Sequence, residues 1–216
     1  MILLHSENEY AIVRKLPGEE CEHELPELLS RELGGESYCV HRLDRAVGGV
    51  MVYARTKAAA AALGAQMQDG SFEKEYLAVL PAIPEEREGE LRDFLFKDSL
   101  KGRSFVAKNK RSGVKEALLS YRVLSSADYG ERGAALVRVK LHTGRFHQIR
   151  CQFAARQMPL LGDGKYGSRE KGCPIALLSC RVSFLHPLSR ERVAYAITPE
   201  DTFPWNLFGG AEHGDK

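Results

Sequence analysis

Three short segments of this 216-residue chain carry side chains able to do chemistry. In His41-Arg42-Leu43-Asp44-Arg45 a carboxylate stands between two guanidinium groups. Opposite charge so close favours the ionised form, which suits Asp44 to act as a nucleophile or base and makes it a poor general acid. A salt-bridged turn aspartate is the competing reading of that fragment. Leu141-His-Thr-Gly-Arg-Phe-His-Gln-Ile-Arg150 reads as a strand end, a glycine turn and a basic helix. Tyr76, in Lys74-Glu-Tyr-Leu-Ala-Val-Leu80, could be an ordinary half-buried strand tyrosine.

The common cofactor and hydrolase signatures fail. Gly162-Asp-Gly-Lys-Tyr-Gly167 spells G-x-G-x-x-G, yet it follows a helical segment and opens none, so no helix N-terminus waits for a pyrophosphate. His147 and Cys151 have i, i+4 spacing, but no second ligand pair lies nearby, which argues against a metal. No serine sits in a G-x-S-x-G elbow.

The elements that must position these residues follow from periodicity and punctuation. Short strands are expected at Leu3–Leu4 and Tyr10–Val13, and a helix over Leu25–Leu33 ended by Gly34 and Gly35. β-rich runs at Tyr38–Leu43 and Gly49–Ala54 bracket the turn that holds Asp44. Thr56 is a natural N-cap for a helix over 57–69, with Gly70 as its stop. Alternation predicts a strand over Phe72–Leu80, then an acidic loop over Pro81–Arg92. Strands at Leu118–Leu124 and Ala134–Leu141 precede a helix over Arg145–Gln157, a glycine-rich loop over Pro159–Pro174, and strands near Ile175–Phe184 and Arg192–Ile197. Strands outnumber helices and do not alternate with them, so the expected class is α+β, with a mixed, mainly antiparallel sheet and flanking helices. One domain over 1–216 is expected.

Composition excludes disorder: 44% of residues are hydrophobic and 28% charged. No apolar run approaches the ~20 residues that cross a bilayer. Five scattered cysteines read as reduced thiols of a cytoplasmic protein. The net charge is only +2, but it is segregated. Residues 1–40 hold nine acids against three bases, whereas 97–115 hold seven bases against Asp98, and 138–156 hold five bases and no acid. A segregated field of that kind attracts a polyanion. For 97–115 alone, a solvated charged loop is an equally good reading.

The segments His41–Thr56 (HRLDRAVGGVMVYART), KEYLAVL (74–80), HTGRFHQIR (142–150), PLLGDGKYG (159–167) and FLHP (184–187) resemble, in that order, the motifs of the RluA-type pseudouridine synthases. The resemblance implies the pseudouridine synthase fold and an enzyme that isomerises uridine in structured RNA, transfer or ribosomal, without a cofactor or metal. It makes Asp44 the essential aspartate, Tyr76 the residue stacked on the target base, and Arg150 a partner of the Asp44 carboxylate. Arg42 becomes the side chain that enters the RNA where the uridine leaves. Arg45, Arg145, His147, Lys108, Lys110, Arg111 and Lys165 are the further expected RNA contacts. The family's extra RNA-binding domain is expected to be absent, and a monomer is the default. Two departures stand out: Gln152 replaces a usual histidine, and Arg14-Lys15-Leu16-Pro17-Gly18 stands where an Asn-Lys-Pro-x-Gly turn is usual. A non-catalytic RNA-binding protein that keeps the fold is the alternative, and a nucleosidase using Asp44 is a more distant one.

Overall fold

The computed structural model describes residues 1–209, which divide into two compact units. The first comprises residues 1–75 and 178–197, and the second residues 76–177 and 198–209. The architecture is α+β with a mainly antiparallel sheet, as the strand-rich, non-alternating pattern predicts.

In the first unit β1 (Ile2–Ser6) pairs antiparallel with β2 (Tyr10–Lys15), and β2 with β4 (Gly48–Ala54). The two-residue β3 (Tyr38–Cys39) also lies along β4. β10 (Leu177–Leu185) joins β4 in parallel at Leu178↔Gly48 and Ser179↔Gly49, and β11 (Arg192–Ala196) closes the edge antiparallel to β10. Every residue of β4 is buried, as a central strand demands. Helix α1 (Glu24–Leu33) starts where the Glu20 carboxylate takes the N–H groups of His23 (2.7 Å) and Glu24 (3.1 Å). Helix α2 (Lys57–Asp69) is capped by Thr56, whose Oγ1 accepts from Ala59 N at 3.0 Å, and stops at left-handed Gly70. α2 buries Ala59, Leu63 and Gln66, one stripe of its surface. The core under it is Tyr10, Ile12, Val50, Val52, Phe72, Val182 and Phe184, with Phe72 stacked on Phe184 at 5.5 Å.

The second unit takes over β5 (Glu73–Leu80) from Tyr76 onward, followed across the sheet by β9 (Ala134–Leu141), β8 (Val114–Ala127), β6 (Glu88–Asp98) and β7 (Arg103–Val106). Helix α3 (Gln148–Ala155) packs on β6 and β7, where Cys151 meets Leu95, Ala117 and Tyr166. No helix among the described residues is long and apolar enough to cross a membrane.

Four expectations need correction. The acidic loop ends early, because residues 88–92 begin β6. Its outward charges pair across strands, Glu88 with Arg122 and Arg92 with Glu116, so a paired ladder looked like a solvated run. The basic stretch 97–115 is likewise no single loop, since it contains the end of β6, all of β7 and the start of β8. The helix expected over 145–157 begins only at Gln148, because His147 is held left-handed at φ 52°. The β-rich run at Tyr38–Leu43 stops at Cys39 for a different reason, described below.

Gly49 marks the tightest junction of the first unit. Its φ is +139°, and a Cβ there would lie 2.5 Å from the Ser179 backbone N and O. Gly49→Ala should therefore cost about 2–5 kcal/mol of stability through strain and overpacking. Gly64, inside α2 with open space around it, should gain roughly 0.5–1 kcal/mol on the same change. Urea denaturation of the two variants checks the opposite signs.

Candidate active site

The turn that carries Asp44 is fastened from beneath. Lys15, at the end of β2, is 0% exposed, and its Nζ donates to four carbonyl oxygens. These are Val47 O at 2.7 Å, Arg45 O at 3.1 Å, Asp44 O at 3.3 Å and Leu16 O at 3.1 Å. Burial pushes the Lys15 ammonium below its usual pKa, with Cys21, Glu19 and Asp44 acting in the opposite direction. Two backbone bonds complete the fastening: Val47 N to Asp44 O at 2.9 Å, and Gly18 N to Arg45 O at 2.7 Å. Gly48 lets this backbone pass within reach of Pro17 and Lys15, since a Cβ would lie 3.1 Å from Pro17 Cδ. Asp44 itself is half-buried.

The residues around Asp44 divide by role. His41 is 4% exposed and its Nε2 accepts the Val52 N–H at 3.0 Å, which turns the chain inward and ends β3 at Cys39. Burial, helped by the Lys74 charge, pushes the His41 pKa down to about 3, so the ring is neutral near pH 7. Lys74 is itself lowered to about 8 by burial. The arginines flanking Asp44 are both exposed: Arg42 Nη1 lies 3.1 Å from Glu22 Oε1, and Arg45 Nε donates to Gly18 O at 2.8 Å. Sequence proximity placed their charges beside Asp44, but their hydrogen bonds run to the Gly18–Glu22 segment. Lys15 is the residue that spacing did not mark, because it lies 29 positions from Asp44.

In the second unit Arg150 is 4% exposed and Asp163 0%. Arg150 Nε meets Asp163 Oδ2 at 2.7 Å and Nη2 meets Oδ1 at 2.9 Å, a two-pronged pair. The G-x-G-x-x-G segment thus supplies the carboxylate that orients Arg150. It also supplies Tyr166, whose ring centroid lies 5.1 Å from Arg150 Cζ. Tyr166 Oη accepts the Ser104 N–H at 2.8 Å and lies 3.1 Å from His147 Nδ1. His147 is buried and stacked on Phe146 at 3.8 Å. Cys151 is raised to about 11 by burial, which does not favour a thiolate ligand beside it. Tyr76 is 5% exposed. The glycine turn before α3 is held by Gln148, whose Oε1 accepts from Thr143 Oγ1 (2.8 Å) and Arg145 N (2.9 Å), while Arg145 Nε donates to Glu116 O at 2.8 Å. Gln152 is fully buried, and its Nε2 donates to Leu91 O (2.9 Å) and Asp93 Oδ2 (2.7 Å). It therefore ties α3 to β6. Lys108, Lys110 and Arg111 are exposed in the loop after β7, and Lys165 is exposed with Nζ on Gly102 O at 3.1 Å.

Among the described residues one group has metal-ligand chemistry: Glu7, Glu9 and His186 place three ligand atoms within 4.8 Å of one another. His186 Nδ1, however, accepts the Leu188 and Ser189 N–H groups, each at 3.1 Å. The ring proton is then on Nε2, facing Glu7 Oε2 at 3.3 Å, where a cation would have to displace it. The histidine of FLHP acts as a loop staple.

Two measurements test this geometry. His41 binds no proton in the native state until about pH 3, while the unfolded chain takes one near 6.5. Stability is therefore lost as pH falls below 6.5, by about 2 kcal/mol at pH 5, and urea midpoints of His41→Gln should show a shallower fall. Asp163→Ala removes the two-pronged carboxylate partner of the buried Arg150 and should cost about 3–5 kcal/mol in the same assay, far more than Glu88→Ala on the surface.

Comparison with known proteins agrees with this arrangement. A sequence model of the family described as RNA pseudouridylate synthase matches residues 9–155. An uncharacterized RNA pseudouridine synthase of Aquifex aeolicus is 33% identical over 174 residues, covering 76% of this chain and 54% of that protein. Ribosomal large subunit pseudouridine synthase D of Zymomonas mobilis is 30% identical over 173 residues, covering 75% and 53% respectively. The chain thus spans about half the length of these relatives. The solved structure of human RNA pseudouridylate synthase domain containing 1 shares the fold, with a TM-score of 0.79 at 24% identity over 94% of this chain and 84% of that one. With a family model that matches residues 9–155 and relatives at 30–33% identity over three quarters of its length, this chain belongs to the RNA pseudouridylate synthase family.

Proposed function

We propose that this chain isomerises uridine in structured RNA to pseudouridine, with Asp44 as the nucleophile or base. The observation that carries the reading is the Asp44 turn, whose backbone is tied to one buried ammonium while its side chain stays half-buried. Chemistry of this kind breaks the bond between uracil nitrogen and ribose, turns the base, and rejoins it through carbon 5, releasing the carbon 5 proton. A fixed carboxylate can attack the sugar carbon or remove a sugar proton. No water has to be activated, so a second carboxylate of the glycosidase type is not required.

The target must leave its stack at a cost of roughly a few kcal/mol, and stacking on an aromatic ring such as Tyr76 returns about 1–3 kcal/mol. Arg42 is assigned the gap that the base leaves. Its ion pair with Glu22 is exposed on both sides, and such pairs are worth about 1 kcal/mol or less, so it can be exchanged for RNA. Arg150 supplies a fixed positive charge oriented by Asp163. The exposed bases Arg45, Lys108, Lys110, Arg111 and Lys165 are assigned to phosphates, with the salt dependence such contacts bring. The substrate is transfer or ribosomal RNA. Five cysteines, none in a disulfide, fit a cytoplasmic setting.

The reading is tested with bulk RNA carrying tritium on uracil carbon 5. Wild type should release tritium, Asp44→Ala should lose at least about a thousandfold in rate, and Arg42→Ala should retain part of it. Release by Asp44→Ala at the wild-type rate, or none from any RNA by wild type, overturns the assignment and leaves an RNA-binding protein that keeps the fold.

A further inference from the structure

Arg103, the first residue of β7, is held by aromatic faces and by no polar partner. Its Cζ lies 4.6 Å from the Phe105 ring centroid and 5.0 Å from that of Tyr166. No hydrogen bond or ion pair joins its guanidinium to any described residue, and its Nε is buried without an acceptor. A buried guanidinium N–H without an acceptor is unusual and costly, which points to an absent partner. The acid across the strand pair, Asp98, is committed elsewhere. Its Oδ1 takes the Lys101 N–H at 3.0 Å, and its Oδ2 lies 4.0 Å from Lys101 Nζ.

The surroundings raise the demand for an anion. Arg150 approaches the same Tyr166 ring, but Asp163 neutralises it, whereas Arg103 has no such counter-charge. Lys101 Nζ stands 5.5 Å from the Phe105 centroid, adding a second cation beside Arg103. Lys97, on β6 opposite Ser104, lies over Phe146 at 4.8 Å. Contact with ring faces fixes the guanidinium plane while leaving its N–H edge without acceptors, the form in which arginine grips a phosphate with two parallel bonds.

We propose that Arg103 is a phosphate-binding residue for the RNA strand, clamped between Phe105 and Tyr166. This rests on the reading of the chain as an RNA-acting enzyme, and it adds a contact on the β6–β7 hairpin that the motifs do not contain. The ligand is a backbone phosphodiester, read without regard to base. Arg103 is thereby a binding residue rather than a catalytic one, and its loss should raise KM and leave kcat near wild type.

The test measures binding of a fluorescent 20-residue oligouridylate against salt concentration, for wild type, Arg103→Gln, Arg103→Lys and Arg122→Gln. One lost single-strand phosphate contact reduces the slope of log K against log salt by about 0.7, so Arg103→Gln should show that drop and roughly tenfold weaker binding at low salt. Arg103→Lys should keep the slope with intermediate affinity, since lysine retains the charge but not the fork. Arg122→Gln, at a residue paired to Glu88, should match wild type. Thermal melts of each variant separate misfolding from lost contact, because a misfolded protein loses affinity in the lysine variant as well. An unchanged slope in a folded Arg103→Gln, or no salt-sensitive binding by wild type, overturns the proposal. Tritium release measured in parallel keeps the two readings apart: binding with the expected slopes but no release defeats the enzymatic reading alone.

Discussion

A single buried ammonium sets the terms for the first unit. Carbonyl oxygens turned into a protein interior must find donors, and a turn that gathers several in one place can share one ammonium among them. Lys15 supplies it for residues 16, 44, 45 and 47. The rest of the first unit is consistent with that demand. Gly48 and Gly49 allow the backbone to lie against Pro17 and Ser179, and His41 turns inward to take the Val52 N–H. Removing a residue's worth of freedom at each of these points is the means by which an unstructured-looking turn becomes a rigid support for a carboxylate.

The charges sort by burial, and the sorting matches the work asked of them. The Arg150–Asp163 pair is almost without solvent, so removing either partner takes a close opposite charge from a buried one in a poor dielectric. That pair holds geometry. The pairs of Arg42 with Glu22, Arg92 with Glu116 and Arg122 with Glu88 are open to water and weakly held. Of the three, Arg42 is the one assigned to the RNA, and a pair so exposed can be given up at little cost. The acidic first forty residues, which hide the basic remainder in the net charge, have structural uses of their own: Glu20 caps α1, Glu19 pairs with the chain's amino terminus, and Glu22 restrains Arg42.

Helix α2 was legible from end to end because its signals are local: Thr56 as cap, Gly70 as stop, and a buried stripe between. The Asp44 turn was legible as a motif but not as a geometry. Lys15 and Asp163 are invisible to spacing rules, since each acts across a distance in sequence that only the fold closes. Strand β6 was hidden because Glu88, Glu90 and Arg92 face outward on it, and alternation of charge with Gly89 and Leu91 resembles a loop. Helix α3 lost its expected first turn to left-handed His147, a backbone state that a histidine rarely signals in advance. Gln152 shows the converse. Its amide ties α3 to Leu91 and Asp93, a packing role that a motif position does not announce.

The central claim is that Asp44, presented by the Lys15-fastened turn, makes pseudouridine in RNA. The direct measurement is a map of pseudouridines across total RNA from cells lacking this chain and from the same cells given wild type or Asp44→Ala. The account predicts at least one position that loses its pseudouridine without the chain, regains it with wild type, and stays unmodified with Asp44→Ala. A map identical with and without the chain, or restored equally by Asp44→Ala, would contradict it.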